Sequence, residues 1–327
     1  MMRIIFELDF EDVNPRLRRL LSYLEEMTRT STTIPAEQGN SSVLLCDYIR
    51  CAIQKENVAV STRKNKETTL RWISRWYQDL QLCQVTVGFI PDFIRHMKEQ
   101  HFQDGTISKH LHQLRHYLYQ AVKEGLVAPA LHDPNLYAYK VEKYHHSFLS
   151  PEEFTLLEEY DAKMFPAHWE TARQAFLFSC YTGLRFSDIK QLTPSHIKKK
   201  GDIHWLALKT QKTGIEIHLP LELLFQGKSL SIYNKVKGKP NAKCFKLGTN
   251  TATNKILQRI QNHLGLSTHI SFHTARHTFA TNLLYMDVRL EVIQKLLGHH
   301  NIKTTQIYAE MTDAALVKAL QNNWLKP

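Results

Sequence analysis

Cysteine is scarce in this 327-residue chain. The five present (Cys46, Cys51, Cys83, Cys180 and Cys244) are odd in number and scattered, with no C-x-x-C pair. That excludes a disulfide frame and implies reduced, mostly buried thiols. No apolar run approaches the length of a membrane-spanning helix, about 20 residues. No basic amphipathic helix with a strong apolar face stands out either, so a membrane partner is not expected. The opening MMRIIFELDF is short and carries acids, unlike a secretory signal, and a cytoplasmic or nucleoid-associated location is the expectation. No G-x-x-x-x-G-K-[ST] loop is present, and no acidic cluster suits two Mg²⁺ ions. No cofactor and no metal are therefore expected. Internal repeats are also lacking.

What the chain has is positive charge. Forty-two Lys and Arg residues stand against 31 Asp and Glu, for a net charge of +11. This balance favours a polyanionic partner, nucleic acid first and an anionic membrane surface second. Hydrophobic residues make up 43% and charged residues 22%, a globular composition long enough for two domains with separate cores. Histidine is frequent, at 18 residues. His112 and His116 have i, i+4 spacing, but no acidic partner in the sequence completes a ligand set.

Taken in order, residues 1–42 form an extension. Leu17, Leu20, Leu21 and Leu24 outline a helix over Pro15 to Met27, and a Thr/Ser-rich linker follows. Residues 43–126 read as a four-helix domain, with helices over Val43–Glu56, from Ser61, over Ile90–Gln100 and over Thr106–Glu124. The second helix turns Leu70, Ile73, Trp76, Tyr77 and Leu80 inward and shows Lys64, Thr68, Arg71 and Arg75 on its polar side. The fourth presents Lys109, His112, Gln113 and His116. Basic stripes suit phosphate contacts, which fix register without reading sequence, although a solvated face has the same pattern. Residues 127–148, with two prolines and no helical period, read as a linker.

The second domain covers residues 149–327. It opens on Ser150-Pro151-Glu152-Glu153, a capping box with proline at the first helical position. A helix over Pro166–Tyr181 is expected to stop at Gly183. Ile203–Leu208 and Ile215–Leu219 read as an antiparallel pair around the turn KTQKTG. Further helices are expected at Leu221–Phe225, Asn250–Leu264, His273–Tyr285, Leu290–Leu297, Thr304–Ala309 and Asp313–Asn322. The fold class is thus mainly α with a small antiparallel β-sheet.

Reactive side chains gather in this half. His273 and Arg276 are three apart and share a helix face. Gly298 closes the helix ending at Leu297, His299 follows, and Tyr308 comes nine residues after His299. Upstream stand Arg185 in TGLRFSD and Lys212 in KTG. A phosphodiester attacked by a nucleophile gains charge in the transition state. Two guanidiniums can bind its non-bridging oxygens by directed, charge-assisted bonds. A tyrosine can serve as a covalent nucleophile and store the bond energy as a protein ester.

TGLRFSD around Arg185, KTG at Lys212, HTAR for His273 and Arg276, and LGHHNIKTTQIYAE for His299 and Tyr308 stand in series. On these motifs the second domain, about half the chain, resembles the catalytic domain of the tyrosine recombinases, the phage integrase family. The preceding helical segment is similar, less specifically, to the core DNA-binding domain of that family. The resemblance implies a two-domain, C-shaped clamp on duplex DNA and a site-specific recombinase acting in integration, excision or inversion. It implies that Arg185 and Arg276 clamp the phosphate and that Tyr308 attacks it to give a 3′-phosphotyrosyl linkage. Lys212 would protonate the departing 5′-oxygen, His273 would accept or orient the tyrosine proton, and His299 would hydrogen-bond the phosphate. Asp188 would support the site. Lys209 competes with Lys212 from the same turn, Asp188 is also a salt-bridge partner for Arg185, and His277 and His300 read as structural neighbours. The family further implies a monomer or weak oligomer when free and a tetramer on two sites, with accessory DNA-bending proteins as possible partners. Leu316, Leu320 and Trp324 outline a terminal helix that could dock on a neighbouring protomer. Two other readings are a type IB topoisomerase-like activity, without a partner duplex, and a non-catalytic DNA-binding regulator.

Overall fold

A computed structural model describes residues 43–141, 147–161 and 166–309. The helices expected at Pro15–Met27 and Asp313–Asn322 lie outside these residues. The chain divides into two compact units, residues 1–142 and 143–327, each with its own core.

The first unit is built on four helices, α1 (Leu45–Lys55), α2 (Val60–Trp76), α3 (Phe89–Glu99) and α4 (Asp104–Lys123). Each buries one apolar stripe. Leu45, Ile49 and Ile53 of α1 and Ile107, Leu111, Leu114 and Leu118 of α4 follow the 3.6-residue period and meet in one cluster. Gly125, at φ 71°, follows the end of α4. A buried polar contact interrupts the apolar packing between α2 and α4. Thr69 Oγ1 meets His110 Nδ1 at 2.7 Å, and burial holds this imidazole down at about 4.

The stretch expected to be a linker corrects the reading from composition. Residues 129–132 and 134–137 form two 3₁₀ turns, each opened by a proline. Val127, Leu131 and Tyr137 are buried in the first core, and the Tyr137 hydroxyl donates to the Leu131 carbonyl at 2.9 Å. Packing therefore continues for about a dozen residues past α4. A 3₁₀ turn has no 3.6-residue period, which is why the pattern was silent there.

The second unit begins with α5 (Pro151–Glu159), capped by Ser150 and Glu153 in the expected reciprocal box. Next come α6 (Ala167–Thr182), α7 (Phe186–Gln191), and a three-stranded antiparallel sheet of β1 (Ile197–Lys200), β2 (Ile203–Lys209) and β3 (Glu216–Pro220) in sequence order. Lys200 pairs with Ile203 across one turn, and Lys209 with Glu216 across the other. The chain continues through α8 (Lys228–Val236), α9 (Asn250–Leu264), α10 (Phe272–Tyr285), α11 (Leu290–Leu297) and α12 (Lys303–Ala309). Helix α6 is central and packs on α8, α9 and α10. It is buried nearly all round from Ala172 to Thr182.

Several elements differ from expectation. Strand β1 was not foreseen, nor were α7 and α8. The helix expected at Leu221–Phe225 is instead a 3₁₀ turn over Leu224–Gly227, in which Phe225 (φ 49°), Gln226 (φ 55°) and Gly227 (φ 75°) are all left-handed. Three such residues cannot continue a right-handed helix. Phe225 offsets its backbone cost by packing its ring against Tyr181 and Phe279, at centroid distances of 5.4 and 5.8 Å.

Candidate active site

Two glycines decide where the site can form. Helix α6 ends at Gly183 and α11 at Gly298, both left-handed, at φ 67° and 63°. A Cβ on Gly183 would lie 2.6 Å from the Phe279 ring and 2.8 Å from Leu297. One on Gly298 would lie 2.8 Å from Ile217. Only glycine admits both the backbone and the approach. The two helix ends thereby come together around α10, and Arg276 fills the space between them. Its Nη1 donates to the Gly183 carbonyl and its Nη2 to the Leu297 carbonyl, each at 2.6 Å. Arg276 is only 6% exposed. Burial, then the neighbouring Arg185, lowers its pKa to about 10, so it remains cationic at neutral pH. The unpaired carbonyls at two helix C-termini carry the negative ends of their dipoles, which suits a buried cation.

Arg185 caps α7 just after Gly183. Its Nη1 is buried and has no hydrogen-bond partner, a directed donor awaiting an anion. Asp188, 0% exposed, supports Arg276 electrostatically, and its Oδ1 accepts the Gln211 N–H at 2.9 Å and so holds the β2–β3 turn. That turn is further closed by Thr210, whose N–H and hydroxyl both donate to the Ile215 carbonyl. Lys212 stands at its tip. A cavity of about 210 Å³ is lined by Arg185, Phe186, Ser187, Lys212, Asn250, Asn254, Phe272 and His273. Lys209 is exposed and is not part of this lining.

The remaining groups gather around Arg276. Tyr308, on α12, is 3% exposed and belongs to the domain core. Burial raises its phenol above the ordinary value, against the pull of the Arg276 and Arg185 charges. The phenol is thus protonated at neutral pH. His299 is held down at about 3 by burial first, then by Arg276, Arg185 and His277, so its ring is neutral. Its Nδ1 lies 2.9 Å from Thr305 Oγ1. The His277 ring, set aside in the sequence reading, sits beside Tyr308 at a centroid distance of 5.4 Å, while His273 is exposed at the cavity.

The structure therefore gathers Arg185, Lys212 and His273 around one cavity, and Arg185, Arg276, His299 and Tyr308 within one electrostatic cluster, with Arg185 common to both. Asp188 adds its negative charge to that cluster. The sequence reading missed Thr305, the Gly183 and Leu297 carbonyls, and Gln211. Among the described residues no three His, Cys, Asp or Glu side chains are grouped to hold a metal ion, and no helix is long and apolar enough to cross a membrane. The surfaces facing the cavity are rich in N–H donors, a set suited to an anionic oxygen.

In the first unit, Lys64, Arg71, Arg75, Lys109, His112 and His116 are all exposed on α2 and α4. The two stripes are neighbours, because Lys109 Nζ donates to Asn65 Oδ1 at 3.1 Å. His116 lies 3.1 Å from Glu56, a carboxylate contributed by the end of α1. Strand β1 adds exposed Lys198, Lys199 and Lys200 in the second unit.

These motifs, on this arrangement of helices and sheet, define the catalytic module of a known family. Residues 148–315, about half of the chain, match the phage integrase family, and residues 44–140 match the phage integrase SAM-like domain; the chain belongs to the phage integrase family. It is 45% identical over 64 residues to tyrosine recombinase XerC of Halalkalibacterium halodurans, covering 20% of this chain and 21% of that protein. It is 30% identical over 158 residues to XerC of Pseudomonas savastanoi pv. phaseolicola, covering 45% and 50%. The chain thus spans from about a fifth to half the length of these relatives. Among solved structures, a lambda integrase dimer bound to a COC′ core site superposes with a TM-score of 0.69 at 18% identity, covering 92% of this chain and 91% of that one. The Tn1549 transposon integrase in complex with circular intermediate DNA gives 0.66 at 17%, covering 85% and 99%. These last two likenesses establish the fold.

Proposed function

We propose that this chain is a site-specific recombinase that cuts and rejoins duplex DNA through a covalent tyrosyl intermediate. The observation that carries the reading is the grouping of two guanidiniums, Arg185 with a buried unpartnered donor and Arg276, whose charges both act on the Tyr308 phenol. In the proposed reaction the scissile phosphate binds between them. Tyr308 Oη attacks phosphorus, the P–O5′ bond breaks, and the phenolic proton passes to a base, for which His273 is the candidate. Lys212 gives a proton to the departing 5′-oxygen, and His299 donates a hydrogen bond to a non-bridging oxygen. A 5′-hydroxyl from a partner duplex then attacks the phosphotyrosine and regenerates the phenol. The bond energy is conserved at each step, so no external energy source enters the balance.

Duplex DNA is the proposed partner of both units, with the stripes on α2 and α4 and the lysines of β1 as phosphate contacts. Self-association into a tetramer on two sites, as in the lambda integrase tetramer bound to a Holliday junction, is part of the same proposal. Accessory DNA-bending proteins and a cytoplasmic location complete it.

The test is an SDS-resistant protein–DNA adduct on a nicked substrate carrying the target site. Wild type should form it and Tyr308→Phe should not, at equal DNA affinity. An adduct retained by Y308F would remove Tyr308 from the role of nucleophile. Relaxation of supercoiled plasmid without joining of two sites would favour a topoisomerase. Sequence-specific binding with no adduct would indicate a regulator.

A further inference from the structure

We propose that Thr305 is a positioning residue that fixes the tautomer of His299, making Nε2 the proton-bearing nitrogen offered to the scissile phosphate. The inference deepens the strand-transfer reading and rests on it for its catalytic consequence, but its structural part stands alone.

A neutral imidazole has one N–H donor and one bare nitrogen, and the partner of either nitrogen decides which is which. His299 Nδ1 faces Thr305 Oγ1 at 2.9 Å, and Thr305 is 0% exposed. Water cannot replace the hydroxyl there. Two arrangements are possible. If the ring donated from Nδ1 to the hydroxyl, Nε2 would be a lone pair turned toward an anion. If the hydroxyl donates to Nδ1, Nε2 carries the proton and can bond a phosphate oxygen. A phosphate only accepts, so only the second arrangement contributes binding. Protonating the ring would also supply a donor, but the low value of about 3 takes that route away at neutral pH.

The surrounding structure removes other freedom from the ring. The His299 N–H donates to the Gln294 carbonyl at 3.1 Å, and Gln294 Nε2 donates to the His299 carbonyl at 3.0 Å. The backbone of His299 is therefore pinned on both sides, just after left-handed Gly298. Thr305 is pinned too, its N–H donating to the Ile302 carbonyl at 2.7 Å. Thr305 and Tyr308 are three residues apart on α12, on adjacent turns of one face. The bond that sets the His299 tautomer thus comes from the helix that carries the nucleophile. A shift of α12 changes both groups together, so the phosphate donor is set when Tyr308 is in place.

The experiment uses the full chain labelled with ¹⁵N-histidine, with His299 assigned from the H299Q variant. Long-range ¹⁵N–¹H correlations should show a protonated Nε2 and a bare Nδ1 in wild type. Thr305→Val, which keeps the shape and removes the hydroxyl, should give a mixed or reversed tautomer, and Thr305→Ser should restore the original. In single-turnover cleavage, T305V should be about 10- to 100-fold slower at unchanged DNA affinity, and T305S within about 3-fold of wild type. In an H299Q background, T305V should add little further loss, because its effect passes through the ring. A proton on Nδ1 in wild type overturns the proposal whether or not T305V folds. An unchanged tautomer in T305V, or an equal loss in the H299Q background, also overturns it. If wild type shows the expected tautomer but never forms an adduct, the cleavage reading fails and the tautomer assignment stands.

Discussion

Asp188 and Gln211 are joined by a 2.9 Å hydrogen bond in which a fully buried carboxylate accepts a backbone N–H from the turn that carries Lys212. The residue three positions after Arg185 thus sets the height of the lysine on a separate hairpin. Asp188→Ala should slow cleavage by about 10- to 100-fold through the lost anchor. Asp188→Asn keeps an acceptor oxygen and should lose less. Pre-steady-state cleavage together with gel-shift affinities would check this. A D188N loss equal to that of D188A would place the effect in charge rather than in the position of the turn.

Gly183 tests the other anchor. Gly183→Ala must place a methyl about where the Phe279 ring and Leu297 now lie, in a left-handed backbone. A destabilisation of about 2–5 kcal/mol is expected from strain and overpacking together. Thermal or urea unfolding measures it. The adduct yield per folded molecule should fall as well, because the Gly183 carbonyl holds Arg276.

The two histidines of α10 should separate cleanly. His273 lines the cavity with Arg185 and Lys212, whereas His277 packs on the Tyr308 ring. His273→Gln is expected to lose about 10²–10⁴-fold in cleavage, the range for a displaced acid–base group. His277→Phe keeps an aromatic contact and should stay within about 10-fold, while His277→Ala loosens the tyrosine. Comparable losses in H273Q and H277F would give His277 a share in the proton transfer.

His299 also predicts a pH effect on stability. Its folded value, about 3, lies below the ordinary 6.5, so the unfolded chain binds the extra proton first. The neutral ring's contribution is fully present above pH 6.5 and is lost as pH falls toward about 3. At pH 5.5 the linkage amounts to about 1.4 kcal/mol. Relative to His299→Gln, wild type should therefore lose stability between pH 7 and pH 5.5, read as a narrowing or reversal of the difference in Tm. A pH-independent difference would contradict a neutral, partly buried ring.

For the first unit, the prediction concerns salt. The triple variant Lys64→Ala, Arg71→Ala, Arg75→Ala should weaken DNA binding and flatten the plot of log affinity against log salt by about 2.7 if each side chain meets a phosphate. An unchanged slope would assign the stripe to solvent.

Most of the helical framework was legible, because long stripes such as Ile107, Leu111, Leu114 and Leu118 announce both a helix and its buried face. The sheet was only two-thirds visible. Strand β1 reads Ile-Lys-Lys-Lys, with no apolar alternation, and pairs through its backbone to β2. Helix α8 was hidden by the left-handed turn before it, whose Phe225 and Gln226 are not residues that signal φ > 0. At the site, the reactive side chains were readable because their chemistry demands particular residue types in particular motifs. Their supports were not. A carbonyl 21 residues from Arg276, or a threonine hydroxyl six residues from His299, becomes a partner only after the helices have packed.

The double anchoring of Arg276 also bears on how this chain comes of age. Its guanidinium is buried against the ends of α6 and α11, which lie on opposite sides of it in sequence. A partly folded domain missing either end would bury a cation with half its acceptors gone, a costly state that favours reopening. Seating of Arg276 and completion of the fold therefore arrive together. An intermediate with a loose, half-assembled arginine site is thereby disfavoured relative to the completed domain.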